Sequence, residues 1–87
     1  MKNTIYTINP ELGIIYVGNA NKPYYYYDYD IQIGTIEHIH YPTGIVPYIC
    51  YSVNQIGKTK CGKIVYKAYF TEIHGADEIT RIFVKDA

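Results

Sequence analysis

The sequence predicts an all-β fold, a small antiparallel barrel or two-sheet sandwich of six or seven strands. Of the 87 residues, twelve are Tyr and fifteen are Ile, and both types suit the pleated, half-buried surface of a sheet. The long segments alternate apolar and polar residues with a period of two, which is typical of strands and not of helices. Turn residues separate these segments at short intervals, and short connections favour a closed or two-layered structure that leaves few edges exposed.

Length and charge limit what the chain can be. A chain of this size has apolar surface for one core, so residues 1–87 are expected to form one domain. Eight Lys and Arg residues balance eight Asp and Glu residues, which excludes strong long-range attraction to nucleic acid. We find no signal peptide and no stretch approaching the roughly 18 apolar residues of a membrane span. We therefore expect a cytoplasmic protein, of the producing or the host cell, with Cys50 and Cys61 reduced.

The first two predicted strands form a hairpin over residues 2–18. Alternation over residues 3–8 predicts the outgoing strand, and residues 9–13 supply the Asn, Pro and Gly that turns require. The apolar run at residues 14–17 predicts the returning strand. A polar loop at residues 19–23 then leads away, because Pro cannot donate to a continuing ladder.

The third predicted strand, Tyr24 to Ile33, is the most distinctive segment. Neighbouring side chains on a strand point to opposite faces, so the pattern predicts one core face and one exposed face. The core face consists of Tyr25, Tyr27, Tyr29, Ile31 and Ile33. The exposed face consists of Tyr24, Tyr26, Asp28, Asp30 and Gln32. Gly34 predicts a bend, after which the β pattern resumes over residues 35–41.

The remaining segments also favour strands. Residues 42–44 predict a turn, residues 45–53 a strand and residues 54–62 a polar loop. Residues 63–73 predict a long strand. The segment 78–85 combines helical spacing of some apolar residues with many β-branched ones, so we expect a strand paired with residues 63–73, the alternative being one short C-terminal helix.

The exposed side of the third strand is the candidate protein-binding surface, formed by Tyr24, Tyr26, Asp28 and Asp30. Exposed Tyr offers a large amphipathic contact area at a small rotamer cost. No pattern of catalytic residues accompanies it, so we expect a non-catalytic module, without a cofactor, that occupies a surface on a protein partner or on a second copy in a homodimer. Compact chains of this kind are often products of phage or mobile-element genes, which suggests an inhibitor of a host or defence protein.

Lysines between positions 58 and 67 support an alternative function. Half of all basic residues lie there beside two tyrosines, and proteins bind single-stranded nucleic acid or nucleotides by stacking bases on rings while Lys contacts phosphate. The residues of this Lys/Tyr strip are Lys58, Lys60, Lys63, Lys67, Tyr66 and Tyr69. A solvated surface is the competing interpretation, which the zero net charge favours.

His38 and His40 support a third interpretation. Separated by one residue, they project from the same face of a strand and could ligate a metal together with a third residue. His74, Glu72 and Cys50 are the candidates for that third ligand. The corresponding function is a small metal-dependent hydrolase, and the competing interpretation is an exposed His pair beside a turn.

Overall fold

The computed structural model describes residues 4–9, 13–17, 23–27 and 30–86. These residues form seven strands and no helix, which confirms the all-β prediction. The strands are β1 (Thr4–Asn9), β2 (Ile14–Val17), β3 (Pro23–Tyr27), β4 (Ile36–Tyr41), β5 (Gly44–Thr59), β6 (Ile64–Glu72) and β7 (Glu78–Lys85). In the described part of the chain, no helix is long and apolar enough to cross a membrane.

Six of the strands close into a barrel, in the order β1, β2, β3, β7, β6, β5, with β5 returning to β1. The seventh strand, β4, pairs with β5 alone and lies outside the ring. The sequence predicted antiparallel pairing throughout, but the β1–β5 and β3–β7 pairs are parallel. Hairpins impose antiparallel pairing, whereas these strands are distant in sequence and meet only where the barrel closes.

The barrel interior holds one apolar cluster, here called the inner cluster. Each of the six ring strands contributes to it, which identifies it as the filling of the barrel. Its members are Tyr6 and Ile8 from β1, Ile15 from β2, Tyr26 from β3, Ile56 from β5, Val65 from β6, and Ile82 and Val84 from β7.

A second cluster, the outer cluster, lies on the other face of the barrel wall. Phe83 belongs to it, although its neighbour Ile82 belongs to the inner cluster, because consecutive side chains on a strand point to opposite faces. Its buried members are Ile31, Tyr48, Cys50, Ala68, Phe70 and Phe83. Ile31, from the segment after β3, and Ile39, from β4, cover this cluster from outside the ring.

The strand β5 runs for 16 residues, whereas the sequence predicted a strand ending at Val53 and a polar loop over residues 54–62. Two register shifts, between Cys50 and Ser52 and between Gln55 and Gly57, mark bulges. Each bulge bends the strand and interrupts the alternation on which the prediction depended. The bent strand pairs with β4 and β6 and, over its last three residues, with β1. The predicted loop is therefore wrong for residues 54–59, which belong to β5.

The third strand is shorter than the predicted one, which extended to Ile33. After Asp30, the chain forms a turn in which the Thr35 N–H donates to the Gln32 carbonyl oxygen at 2.9 Å. Gly34 has φ +97° at the third position of this turn, a conformation that favours glycine. The expected bend at this glycine is confirmed, but the strand does not continue up to it.

Both predicted hairpins are confirmed. β1 and β2 pair antiparallel over four positions, and β6 and β7 pair antiparallel over eight. The C-terminal segment is thus a strand, and the helix alternative is wrong. Both thiols are free: Cys50 is buried, which raises its pKa, whereas Cys61 is exposed and a hydrogen bond with the Thr59 hydroxyl lowers its pKa.

Candidate functional site

The residues of the predicted binding face of the third strand do not lie on one surface in the structure. Tyr24 lies at the surface, with 39% of its area exposed. Tyr26 is half-buried in the inner cluster, because it pairs in register with the core residue Ile82. Asp30 lies beyond the end of β3 and lines a different cleft, while Asp28 falls outside the described residues. The expected exposure of Tyr26 is therefore wrong.

The predicted core face is also only partly correct. Ile31 is buried and Tyr27 packs against the outer cluster, as predicted. Tyr25, in contrast, is 75% exposed, and Ile33 is exposed in the turn after β3. Tyr29 lies outside the described residues. Alternation states which side chains share a face, but a face is buried only where another part of the chain covers it.

Tyr25, the most exposed tyrosine among the described residues, stands where β3 and β7 separate. Within the described part of the chain, these two strands pair at two positions, Tyr26 with Ile82 and Tyr27 with Phe83. Tyr25 and Arg81, the residues that precede the first of these pairs, do not pair with each other. A cleft of about 410 Å³ opens between the two strands at this point. We call it the seam cleft. Its lining residues are Tyr24, Tyr25, Tyr27, Thr80, Arg81 and Ile82.

Arg81 gives the seam cleft its charge. Its guanidinium lies over the Tyr27 ring, 5.3 Å from the ring centroid, and its Nη1 donates to the Thr80 carbonyl oxygen at 3.1 Å. Its Nε is buried and has no hydrogen-bond partner among the described residues. A buried donor without a partner costs roughly 1–3 kcal/mol of stability. Arginine also binds carboxylates through two parallel hydrogen bonds.

A second opening, the outer cleft, lies on the face of the outer cluster and has a volume of about 440 Å³. The Tyr66 ring stacks on Phe83 with centroids 5.2 Å apart and planes 14° apart. Lys85 Nζ lies 5.9 Å from the Tyr66 centroid and 3.4 Å from Asp30 Oδ2. The lining residues are Asp30, Ile31, Gln32, Ile33, Val53, Tyr66, Phe83 and Lys85. The sequence gives no indication of this site, because β6–β7 pairing alone brings Phe83 beside Tyr66.

The Lys/Tyr strip does not form one surface. Lys67 lies over the Tyr69 ring, 5.4 Å from its centroid, whereas Tyr66 points to the opposite face of β6 and lines the outer cleft. Lys63 pairs with Asp86 at 3.7 Å. Lys58 and Lys60 are exposed near the turn between β5 and β6. Of the six residues, Tyr66 lines the outer cleft, and none lines the seam cleft.

Tyr51 adds an aromatic neighbour for Tyr69, with ring centroids 6.4 Å apart. Its hydroxyl donates to Glu78 Oε1, at the first residue of β7, and this hydrogen bond raises the pKa of Tyr51. Tyr51 is the bulge residue between two ladder positions of β5, which explains why sequence alternation gave no indication of this contact.

His38 and His40 lie exposed on β4 and share one face, as predicted. The described residues contain no group of three or more His, Cys, Asp or Glu side chains that could hold a metal ion. The proposed third ligands therefore do not converge on the pair, and Cys50 is buried in the outer cluster. Within one chain, the described residues offer two imidazoles and no further ligand.

No protein-family model, curated protein or solved structure matches the chain. Its function has to be inferred from the surfaces themselves. Among the described residues, the seam cleft combines the most exposed tyrosine with the charge of Arg81. In the outer cleft, by contrast, the cation Lys85 already pairs with Asp30.

Proposed function

We propose that the protein is a non-catalytic module that binds a protein partner through the seam cleft and acts by occupying a surface of that partner. The observation that carries the proposal is the position of Tyr25, 75% exposed, in a cleft that it shares with Tyr24 and Arg81. Tyrosine and arginine are the types that most often concentrate binding energy at protein interfaces. Tyrosine has few rotatable bonds, so fixing it at an interface costs little entropy.

The lining of the seam cleft indicates the chemistry of the partner. Ile82 and the tyrosine rings offer apolar walls, and Arg81 offers a positive charge. A partner segment that places a carboxylate or carbonyl oxygen beside an apolar side chain would satisfy both. The chain has no net charge, so we expect contact between surfaces to determine affinity, with little dependence on salt. Inhibition of a host or defence protein is one form that such surface occupation takes.

An affinity pulldown with the immobilised chain, analysed by quantitative mass spectrometry, tests the proposal. The parent is compared with a Tyr25→Ser, Arg81→Ser double variant and with Tyr51→Ser, which removes an exposed tyrosine outside the seam cleft. A partner found with the parent is expected to be retained by the Tyr51 variant and lost by the double variant. Circular dichroism and thermal unfolding verify that each variant folds.

Affinity for the recovered partner is then measured by calorimetry. Tyr25→Ala should weaken binding by about 2 kcal/mol, or about 30-fold, if this residue is a hot spot. Equal binding by the parent and the folded double variant would refute the seam cleft as the binding site.

A second candidate function, binding of a nucleotide or single-stranded nucleic acid, is favoured by the Tyr66–Phe83 stack and the adjacent Lys85 in the outer cleft. Bases stack on such rings with roughly 1–3 kcal/mol per base. Fluorescence anisotropy with a labelled oligothymidine at low and high salt tests this function. Binding that falls steeply with salt and is lost in Tyr66→Ala, but retained in Tyr69→Ala, would support it.

A further inference from the structure

The strand β4 has an unpaired edge. It is the one strand of the described chain with a single neighbour, β5. Just before β4, the Cys50 N–H donates to the Thr35 carbonyl oxygen at 2.8 Å. Hydrogen-bonded positions alternate along an antiparallel ladder, so Ile36, His38 and His40 direct their backbone N–H and C=O groups away from β5.

The sequence of β4 offers this edge little protection, since Glu37 is its one charged residue besides the two histidines. Proteins commonly discourage edge pairing with Lys or Pro on the edge strand, but β4 reads Ile-Glu-His-Ile-His-Tyr. Its exposed face is flanked by apolar side chains, since Ile36 is 49% exposed and Ile45, which pairs with His40, is 58% exposed. The edge therefore presents unpaired backbone groups beside apolar surface that another strand would cover.

We propose that β4 pairs antiparallel with β4 of a second copy of this chain, and that His38 and His40 of both copies together bind one divalent transition-metal ion, such as Zn²⁺. Each chain alone offers two imidazoles from its described residues, which is fewer than the four ligands of a closed zinc site. The second copy supplies the other two ligands, so the site is complete only in the dimer.

Symmetry restricts the register of this pair. A two-fold axis relating two strands of one sheet is perpendicular to that sheet, so residues of the exposed face lie opposite residues of the same face. A pair centred on Ile39 sets Ile39 opposite Ile39 and His38 opposite His40 of the second copy. A pair centred on Glu37 would place two carboxylates opposite each other. A pair centred on His38 would place Glu37 opposite Ile39. The first register is favoured because it matches apolar with apolar residues.

In this register the four imidazoles stand at the corners of a rectangle. His38 and His40 are two residues apart, about 6.6–6.8 Å along the strand. Opposite residues in a hydrogen-bonded pair have Cα atoms about 5.5 Å apart. Four side chains on one face at these spacings can converge on one ion, whose bonds to imidazole nitrogen are about 2.0–2.1 Å long. Both histidines are solvent-exposed in the single chain, so the surface of each copy presents two imidazoles.

Sedimentation velocity of the whole chain, with chelator or with added ZnCl₂, tests the dimer, and calorimetric titration gives the metal stoichiometry. Zinc is expected to strengthen dimerisation at least about tenfold, with one ion bound per two chains. The His38→Gln, His40→Gln double variant should lose this response. His74→Gln, which alters the remaining histidine, should keep it. A chain that stays monomeric in zinc, one ion per monomer, or equal responses of parent and double variant would overturn the proposal.

The strand edge is tested separately from the ligands. The His40 N–H points away from β5, so His40→Pro removes an edge donor while leaving the β4–β5 hydrogen bonds in place. At equal zinc, His40→Pro should dimerise more weakly than His40→Gln, although both lack the same imidazole. Thermal unfolding verifies that the proline variant folds. Ile45→Pro cannot replace His40→Pro in this test, because Ile45 lies on the neighbouring strand and not on the edge strand. Equal dimerisation of the two folded variants would refute pairing through β4.

Discussion

The inner and outer clusters differ in how they are completed. The inner cluster is enclosed by the six ring strands, each of which contributes to it. The outer cluster lies on the far side of the same wall and is covered by parts of the chain outside the ring, namely β4 and the segment containing Ile31. The ring thus completes one core by closing, whereas the other core depends on additional segments.

The two clusters also differ in polarity. In the outer cluster the Tyr48 hydroxyl donates to Asp77 Oδ2 at 2.7 Å and lies 3.0 Å from the Tyr41 hydroxyl. These hydrogen bonds tie β4 and the β6–β7 turn to the cluster. The outer cleft and the β4 edge both adjoin the outer cluster. These two candidate binding surfaces therefore lie where the covering of the outer cluster is incomplete. Closure of the ring encloses the inner cluster, while the open face of the outer cluster leaves groups available for contact.

The largest expected effect tests whether the outer cluster belongs to the folding core. Phe70 is fully buried there, so Phe70→Ala should lower the free energy of unfolding by about 3–5 kcal/mol. Urea unfolding followed by circular dichroism and tyrosine fluorescence measures it, since the chain has no Trp. Phe70→Leu, which retains most of the volume, should cost less. A loss below about 1 kcal/mol for the alanine variant would show that the outer cluster adds little stability.

The matched test in the inner cluster uses Ile15, which is also fully buried. Ile15→Ala should cost about 2–5 kcal/mol, and Ile15→Val about 0.5–1.5 kcal/mol, because the first removes more buried carbon atoms and leaves a larger cavity. If the two clusters form one cooperative unit, the transition should stay two-state by both probes in every variant. Two separate transitions would instead show that the ring and its outer covering unfold independently.

A smaller effect concerns the turn that leads into β4 and brings Ile31 over the outer cluster. Gly34 has φ +97°, and an added Cβ would meet no atom within 4 Å, so backbone strain alone should determine the cost. Gly34→Ala is expected to destabilise by about 1–2 kcal/mol. Gly34→Asn, which tolerates positive φ better, should cost less in the same urea titration. Equal losses for both variants would argue against strain as the cause.

The last prediction is confined to alkaline pH. Hydrogen bonds with Tyr41 and Asp77, together with burial, raise the pKa of Tyr48. An unfolded tyrosine releases its proton near pH 10, whereas folded Tyr48 retains it, so stability present below about pH 10 is lost as the pH rises further. Tyr48→Phe should be less stable at neutral pH but should lose less additional stability above pH 10. Parallel pH profiles of parent and variant would contradict this role.

The local elements of this fold are determined by the sequence itself. The sequence predicts both hairpins from local features: alternation over residues 3–8, the apolar run at residues 14–17 and the β-branched residues of 78–85, each of which depends only on neighbours along the chain. The turn at Gly34 is likewise predictable, since glycine alone adopts its conformation without strain. Alternation also predicts that Ile31 is buried, which is correct, but the same pattern predicts burial of Ile33, which is exposed.

The tertiary structure decided which faces are covered and which residues meet. Among the described residues, β3 pairs with β7 at two positions, which half-buries Tyr26 and leaves Tyr25 in the seam cleft. Bulges extend β5 through the predicted loop and allow it to close the barrel on β1. Such pairings join residues far apart in the chain, and their free energy depends on the assembled neighbours, so a pattern of adjacent residues specifies the strands but not which strands pair.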